Sequence, residues 1–142
     1  MFSASRVYKE FARFLTCLPN LHTLHILYVP PQYEDQFEQA FSRSGASYPT
    51  VRTAVLHALA RHMLPYLPGI LSLQFVGDFV TTGCEEAVRD IVNNANPELQ
   101  VLNLGKPFFL PFAYIHKIGE QFLLLKMCHT DTVRLFQIYE AS

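Results

Sequence analysis

The chain has 142 residues, enough for one domain with a sizeable core, and 50% of its residues are hydrophobic. Its net charge of −1 at pH 7 excludes a long-range field that recruits nucleic acid or anionic lipid, and no apolar stretch makes a convincing membrane span. Three cysteines with wide spacing argue against a disulfide framework, and the first ten residues lack the apolar core of a signal peptide. We therefore expect an intracellular protein, cytoplasmic or nuclear.

Helical and strand periodicities alternate along the whole chain. The predicted elements are a helix at 4–17, a strand at 21–28, a helix at 32–43, a strand at 51–57, a short helical turn at 58–64, a strand at 70–76, a helix opened by the Thr82–Glu85 capping box, a strand at 99–104, a helix at 112–128 and a strand at 133–139. Gly45 is well placed to end the second helix. Strand and helix alternate five times, which predicts parallel strands joined by right-handed crossovers.

The first helix has one apolar stripe and one basic stripe. The apolar stripe at helical spacing consists of Val7, Phe11, Phe14, Leu15 and Leu18. Arg6, Lys9 and Arg13 form a small basic stripe that is typical of a solvated helix face. Ser3 or Ser5 can cap the helix.

A sequence motif that begins with proline leads into four of the strands. It reads proline, any residue, apolar, two residues, apolar, one residue, apolar, and it begins at Pro19, Pro49, Pro68 and Pro97. The alternation at its end predicts a strand with one buried face, and proline just before a strand costs little. A fifth copy without proline is expected at Val133, Phe136 and Ile138.

The strand part of this motif resembles the signature of leucine-rich repeats. The best-matching copies are Leu21/Leu24/Ile26, Ile70/Leu73/Phe75 and Leu99/Leu102/Leu104, and Val51/Ala54/Leu56 is a weaker one. The segment Leu18-Pro-Asn-Leu21 is similar to the segments that precede strands in fungal F-box-type leucine-rich-repeat proteins. The resemblance implies a solenoid whose repeat face holds a target for ubiquitination. No F-box is recognisable in the chain, and the Asn or Cys that usually follows each strand is absent.

The reactive residue types do not form a catalytic pattern. Cys84 lies at a helix start beside two acids, which favours a packed cysteine over a nucleophile. Residues 128–131 read Cys-His-Thr-Asp, but triads are assembled from separate segments rather than from neighbours. His22 and His25 point to opposite sides of a strand and cannot easily share a metal. The sequence predicts no catalytic residue, no metal site and no cofactor.

The outward face of the predicted strands is the best candidate site. If residues 24 and 26 face the core, residues 23, 25 and 27 face outward, and stacking the copies gives three rows. The rows are Thr23, Thr53, Ser72 and Val101; His25, Val55, Gln74, Asn103 and Gln137; and Leu27, His57, Val76, Gly105 and Tyr139. These rows are uncharged, partly apolar and able to form hydrogen bonds, as protein contact surfaces are. We predict a partner-binding set of Thr23, His25, Val55, His57, Gln74, Asn103 and Gln137.

The sequence thus predicts a single α/β domain over residues 1–142, a short leucine-rich-repeat-like solenoid with parallel strands on one face and helices on the other. An alternative is an open sheet with helices on both faces. The predicted function is a non-catalytic protein-interaction module, in its finer form the target-recognition part of an F-box-like adaptor. A small intracellular α/β enzyme and a fragment or degenerate repeat copy stay open as alternatives. The uncapped ends of such an array also leave self-association open.

Overall fold

The computed structural model describes residues 3–77, 84–105, 112–129 and 134–137. Its helices are α1 (Ala4–Thr16), α2 (Glu34–Ser44), α3 (Cys84–Asn94) and α4 (Phe112–Gln121). Its strands are β1 (Thr23–Ile26), β2 (Thr53–His57), β3 (Ser72–Val76), β4 (Val101–Asn103), β5 (Met127–His129) and β6 (Arg134–Gln137). A 3-10 turn at Pro31–Tyr33 leads into α2, and a 3-10 segment at Ala58–Tyr66 joins β2 to β3.

The six strands form one sheet in the order of the sequence, from β1 to β6. The first five are parallel, and β6 pairs antiparallel with β5. The sheet and its helices confirm the predicted α/β class. The strands of the four motifs that begin with proline lie side by side, with Leu24 opposite Ala54, Ala54 opposite Leu73 and Leu73 opposite Leu102.

Each of the five parallel strands is entered by the same backbone turn. The N–H groups of Leu21, Val51, Ile70, Leu99 and Leu125 each donate to the carbonyl oxygen three residues earlier, at 3.0–3.3 Å. One residue further on, the carbonyl of His22 accepts from both Arg52 and Thr53 in the next unit. The same pair of hydrogen bonds recurs at the carbonyls of Arg52, Leu71 and Gln100, each of which accepts from two N–H groups of the unit that follows. This repetition keeps the strands in register.

The core lies on one side of the sheet. Leu24, Ala54, Leu73, Leu102 and Cys128 form a row across the parallel strands in which every side chain is at most 5% exposed. The helices and the 3-10 segment follow one another in contact from α1 to α4 and bury Leu15, Phe37, Phe41, Met63, Ile91 and Ile118 in the same cluster. Burial of each large side chain of this kind contributes about 2 kcal/mol.

The predicted ends of the first two helices are confirmed. Ser3 Oγ accepts a hydrogen bond from the Arg6 N–H, which caps α1. Gly45 follows α2 with φ +63°, the left-handed conformation that glycine adopts without strain. The apolar stripe of α1 is only partly correct, because Val7 is 48% and Phe14 57% exposed.

The short connection between β2 and β3 is wound more tightly than an α-helix. The predicted turn at 58–64 is a 3-10 segment that continues through Pro65 to Tyr66. It begins directly after His57, whose Nδ1 accepts the N–H of Leu59 at 3.2 Å. Six of its nine residues are buried, so this segment takes the place of a helix in the core.

The C-terminal prediction is wrong in two respects. The helix predicted at 112–128 ends at Gln121, and the fifth parallel strand is Met127–His129 rather than a strand at 133–139. Leu125 and Cys128 continue the repeated apolar pattern, with Leu123 standing where the other copies have proline. Residues 134–137 form β6 instead, and antiparallel pairing excludes them from the parallel series. The capping residue Thr82 lies outside the described residues.

Candidate partner-binding face of the sheet

The outward side of the sheet carries two complete rows. In the first, Thr23, Thr53, Ser72, Val101 and Met127 are paired in succession. In the second, which we call the His25 row, His25, Val55, Gln74, Asn103 and His129 are paired in the same way. Side chains two residues apart on a strand share a face, so from β1 to β4 both rows lie on the side opposite the buried row.

Neither row contains a lysine, arginine, aspartate or glutamate. Thr23, His25 and Gln74 are exposed, and Val55 and Asn103 are half-buried. The rows combine hydrogen-bonding side chains with a few apolar ones. A partner can therefore dry this surface without removing a full charge from water, which is the costly step in forming an interface.

Asn103 has a structural task within this row. Its Oδ1 accepts the N–H of Gly105 at 2.9 Å, and Gly105 has φ +75°. The amide therefore supports the turn that leaves β4. The two hydrogens on Nδ2 make no hydrogen bond to the described residues and can bond to a partner.

His57 belongs to the predicted set but is only 9% exposed. Its Nδ1 accepts the Leu59 N–H, and the Tyr28 ring meets it edge-on with 5.3 Å between ring centroids. Burial lowers the pKa of His57, because the charged ring loses its hydration. His57 is therefore a packed, neutral side chain beneath Tyr28 rather than a contact residue.

Gln137 does not extend the His25 row as predicted. It pairs with Met127 across the antiparallel junction, one strand beyond the end of the parallel series. His129 occupies the position expected for Gln137, opposite Asn103. The expected row failed because it assumed a fifth parallel strand at 133–139. Tyr139 lies outside the described residues.

Two exposed hydrophobic residues next to the face were not in the predicted set. Leu27 is 61% and Tyr28 66% exposed, directly after β1. Leu27 stood in the third predicted row, but no periodicity marked Tyr28. The only sequence signal was two bulky residues shortly before Pro30-Pro31, where the strand had to end.

Cys128 lies on the buried side of the sheet, away from this face. It is 0% exposed, and burial raises the pKa of its thiol to about 12. A thiol with that pKa holds almost no thiolate at neutral pH, and the thiolate is the nucleophile. Asp131, the last member of the Cys-His-Thr-Asp run, lies outside the described residues.

Two other kinds of functional feature are absent from the described residues. No three of their His, Cys, Asp and Glu side chains are grouped so that they could hold a metal ion. No helix among them is long and apolar enough to cross a membrane. The chain matches no protein-family model and has no significant sequence similarity to a curated protein.

Proposed function

We propose that this protein is a non-catalytic interaction module that binds another protein through the outward face of its sheet. The observation that supports the proposal is the His25 row, in which uncharged and hydrogen-bonding side chains stand in register across parallel strands. A rigid sheet holds these groups at fixed spacing, so a partner pays little to order them.

We propose further that the architecture is of the leucine-rich-repeat type. Three observations support this assignment: the strands follow one another in sequence order, each is entered by the same turn, and the helical elements contact one another in the same order. Each unit then contributes one strand to the binding face, as repeat proteins do.

The expected partner presents an uncharged, partly apolar protein surface. Leu27 and Tyr28 supply the apolar area at the β1 end, and tyrosine is among the residues that dominate binding energies. His25 and Gln74 supply hydrogen bonds in the middle of the face. Because neither row carries a formal charge, we expect affinity to change little with salt.

We also propose that the partner is a target for ubiquitination, with the protein acting as the recognition part of an F-box-like adaptor. This finer assignment rests on the resemblance of Leu18-Pro-Asn-Leu21 and its strand to fungal F-box-type leucine-rich-repeat proteins. Co-purification of ubiquitin-ligase subunits with the full-length protein tests it, and a partner set without any ligase subunit contradicts it.

The binding face is tested by placing a charge on it. We expect Gln74→Arg to lower the affinity for the partner at least about tenfold, because binding must then desolvate an unpaired cation. Gln121→Arg is the matched control, since Gln121 is an exposed glutamine at the end of α4. Proteins recovered with each variant are quantified by mass spectrometry, and the affinity of each enriched protein is then measured directly. Equal affinity of every partner for wild type and Gln74→Arg contradicts the proposal.

Asn103 is left unchanged in this experiment because its amide holds Gly105. A His25→Ala/Gln74→Ala double variant complements the charge insertion by removing hydrogen-bonding groups without adding bulk. We expect it to weaken the same partner by about 1–3 kcal/mol while leaving the melting temperature unchanged.

A further inference from the structure

A second surface, unrelated to the sheet face, lies between the first two helices. The α1–α2 cleft has a volume of about 650 Å³. Its walls come from both helices at helical spacing: Ser5, Lys9, Ala12, Arg13 and Thr16 on α1, and Gln36, Gln39, Ala40, Arg43 and Ser44 on α2. A volume of this size lies in the range of small-molecule sites.

The cleft exists because alanines stand where the helices would otherwise fill the space. The two helices touch through aromatic pairs, Tyr8 with Phe37 and Phe11 with Phe41. Ala12 and Ala40 line the cleft beside these pairs, and a methyl group cannot bridge to the opposite helix. Ala12 is fully buried, so the floor is closed toward the core.

Three cations that line this cleft form no ion pair with the part of the chain that the structure describes. No carboxylate of the described residues lies within 4 Å of the charged groups of Lys9, Arg13 or Arg43, whereas the buried Arg61 has two such partners. Glu10 is the only acidic residue in the lining. The cleft therefore has an excess of positive charge in a protein whose net charge is −1.

Gln36 adds an unsatisfied acceptor to the same cleft. Its Oε1 is buried and accepts no hydrogen bond from the described residues. Two hydroxyls of the lining are engaged locally, since Ser44 Oγ donates to the Phe41 carbonyl and Thr16 Oγ1 to the Arg13 carbonyl. A buried acceptor without a donor is costly, and a turn of the Gln36 side chain into the cleft would let a ligand hydroxyl satisfy it.

We propose that the α1–α2 cleft binds a small phosphorylated polyol, of the sugar-phosphate class. Lys9, Arg13 and Arg43 bind the phosphate groups through charge-assisted hydrogen bonds, and Gln36 accepts from a hydroxyl of the polyol. The lining contains no large exposed hydrophobic residue, which favours a water-soluble ligand over a lipid carrying the same headgroup.

The proposal is tested by calorimetric titration of the full-length protein with fructose 1,6-bisphosphate. We expect binding at least tenfold tighter than that of inorganic phosphate, and no binding of fructose. The Arg13→Gln/Arg43→Gln double variant is expected to lose at least tenfold in affinity. The control is Arg89→Gln/Lys117→Gln, which removes the same charge from exposed positions on α3 and α4.

Two further variants separate the cleft from general electrostatics. Ala40→Leu fills the cleft with the cations in place, and we expect it to abolish binding. Gln36→Met removes the acceptor at similar volume, and we expect it to weaken the sugar bisphosphate but not inorganic phosphate. Vesicles containing phosphatidylinositol phosphate distinguish the lipid source, and we expect no co-sedimentation.

Any of three results overturns the proposal: no binding of the sugar bisphosphate below roughly 1 mM, equal losses in the cleft and control double variants, or unchanged binding by Ala40→Leu. Gln74→Arg is expected to bind the sugar bisphosphate like wild type. The outcome is therefore independent of whether the sheet face binds a protein.

Discussion

Arg61 donates from Nε to Oδ2 of Asp90 across 2.9 Å, which joins the 3-10 segment to α3. The Arg61 side chain is only 2% exposed, so its charge lies inside the protein. Its Nη1 donates to the Ala58 carbonyl and lies 3.6 Å from Glu34 on α2, which also contacts His62. One buried cation thus connects three successive helical elements behind the sheet.

Neutralising Asp90 is expected to destabilise the protein. Asp90→Asn leaves the buried guanidinium with a weaker partner, and we expect a loss of about 1–3 kcal/mol, because Asp90 is itself partly exposed. Arg61→Met removes the buried charge as well and is expected to cost less than the isolated loss of its partner. Urea unfolding of both single variants and the double variant gives the coupling energy.

The exposed pair Arg89 and Glu85 is the control for this cycle. Their charged atoms are 3.7 Å apart on α3, and both side chains are 64% exposed. We expect a coupling of less than about 0.5 kcal/mol there. A coupling at Arg61–Asp90 as small as that of the control contradicts the structural importance of the buried pair.

Gly77 is expected to be intolerant of a side chain. It has φ +82°, and a Cβ at this position would lie 2.6 Å from Cδ2 of His57. We expect Gly77→Ala to cost about 2–3 kcal/mol, of which about 1 kcal/mol comes from the backbone conformation. Gly45→Ala isolates that backbone part, since Gly45 has φ +63° and no atom within 4 Å of its added Cβ.

The contact is verified by combining the change with His57→Ala. In that background, Gly77→Ala is expected to cost no more than Gly45→Ala costs in the wild type. Thermal or urea unfolding gives the stability of all five proteins, namely the wild type, the three single variants and the double variant. If Gly77→Ala costs the same with and without the imidazole ring, the close approach to His57 is wrong.

His57 is expected to make stability depend on pH. Burial lowers the pKa of His57 in the folded protein below its ordinary value of 6.5. Below pH 6.5 the unfolded chain therefore binds a proton that the folded protein resists, and the free energy of unfolding falls as the pH falls. The stabilisation is complete above pH 6.5 and is lost progressively below it.

The His57→Asn variant isolates this effect from other titrating groups. Asparagine can still accept the Leu59 N–H but does not titrate. We expect the stability of the wild type relative to His57→Asn to decrease from pH 7.5 to pH 5.5. A difference that is constant or grows in the acid range contradicts a neutral, buried His57.

The sequence predicted the first four parallel strands because each copy combines proline with the same apolar spacing. The fifth copy at Leu125 was missed because Leu123 replaces the proline, and the run from Ile115 to Met127 fits helical spacing as well as strand entry. Only pairing with β4 decides between the two. Antiparallel pairing of Arg134–Gln137 depends on a chain reversal that no residue pattern marked.

The outward rows were also predictable, since alternation alone decides which side of a strand a residue takes. Exposure was not, because it depends on neighbours from other units. His57 alternates outward like Val55, but Tyr28 and Gly77 close over it. The α1–α2 cleft was equally hidden, because Lys9 and Arg13 read as a solvated stripe until α2 was placed beside them.

We propose that the protein self-associates through the free flank of α1, at one of the two ends of the array for which the sequence leaves self-association open. Val7 and Phe14 are seven residues apart and thus lie about 20° apart around the helix, whereas Tyr8, which contacts Phe37 of α2, lies about 100° away from Val7. Among the described residues, β1 is also an edge strand with one paired side. The two features place an apolar stripe and an unpaired backbone at the same end of the sheet.

Self-association is measured by sedimentation velocity at protein concentrations from about 1 to about 100 µM, which cover weak association. We expect the average mass to rise with concentration. The Val7→Lys/Phe14→Lys variant is expected to raise the concentration at the midpoint of association at least about tenfold, because two cations oppose desolvation of the flank. Leu123→Lys is the control, since Leu123 is 81% exposed in the turn between α4 and β5. A wild-type protein that sediments as a monomer throughout, or a control that disrupts association equally, removes the α1 flank as an interface.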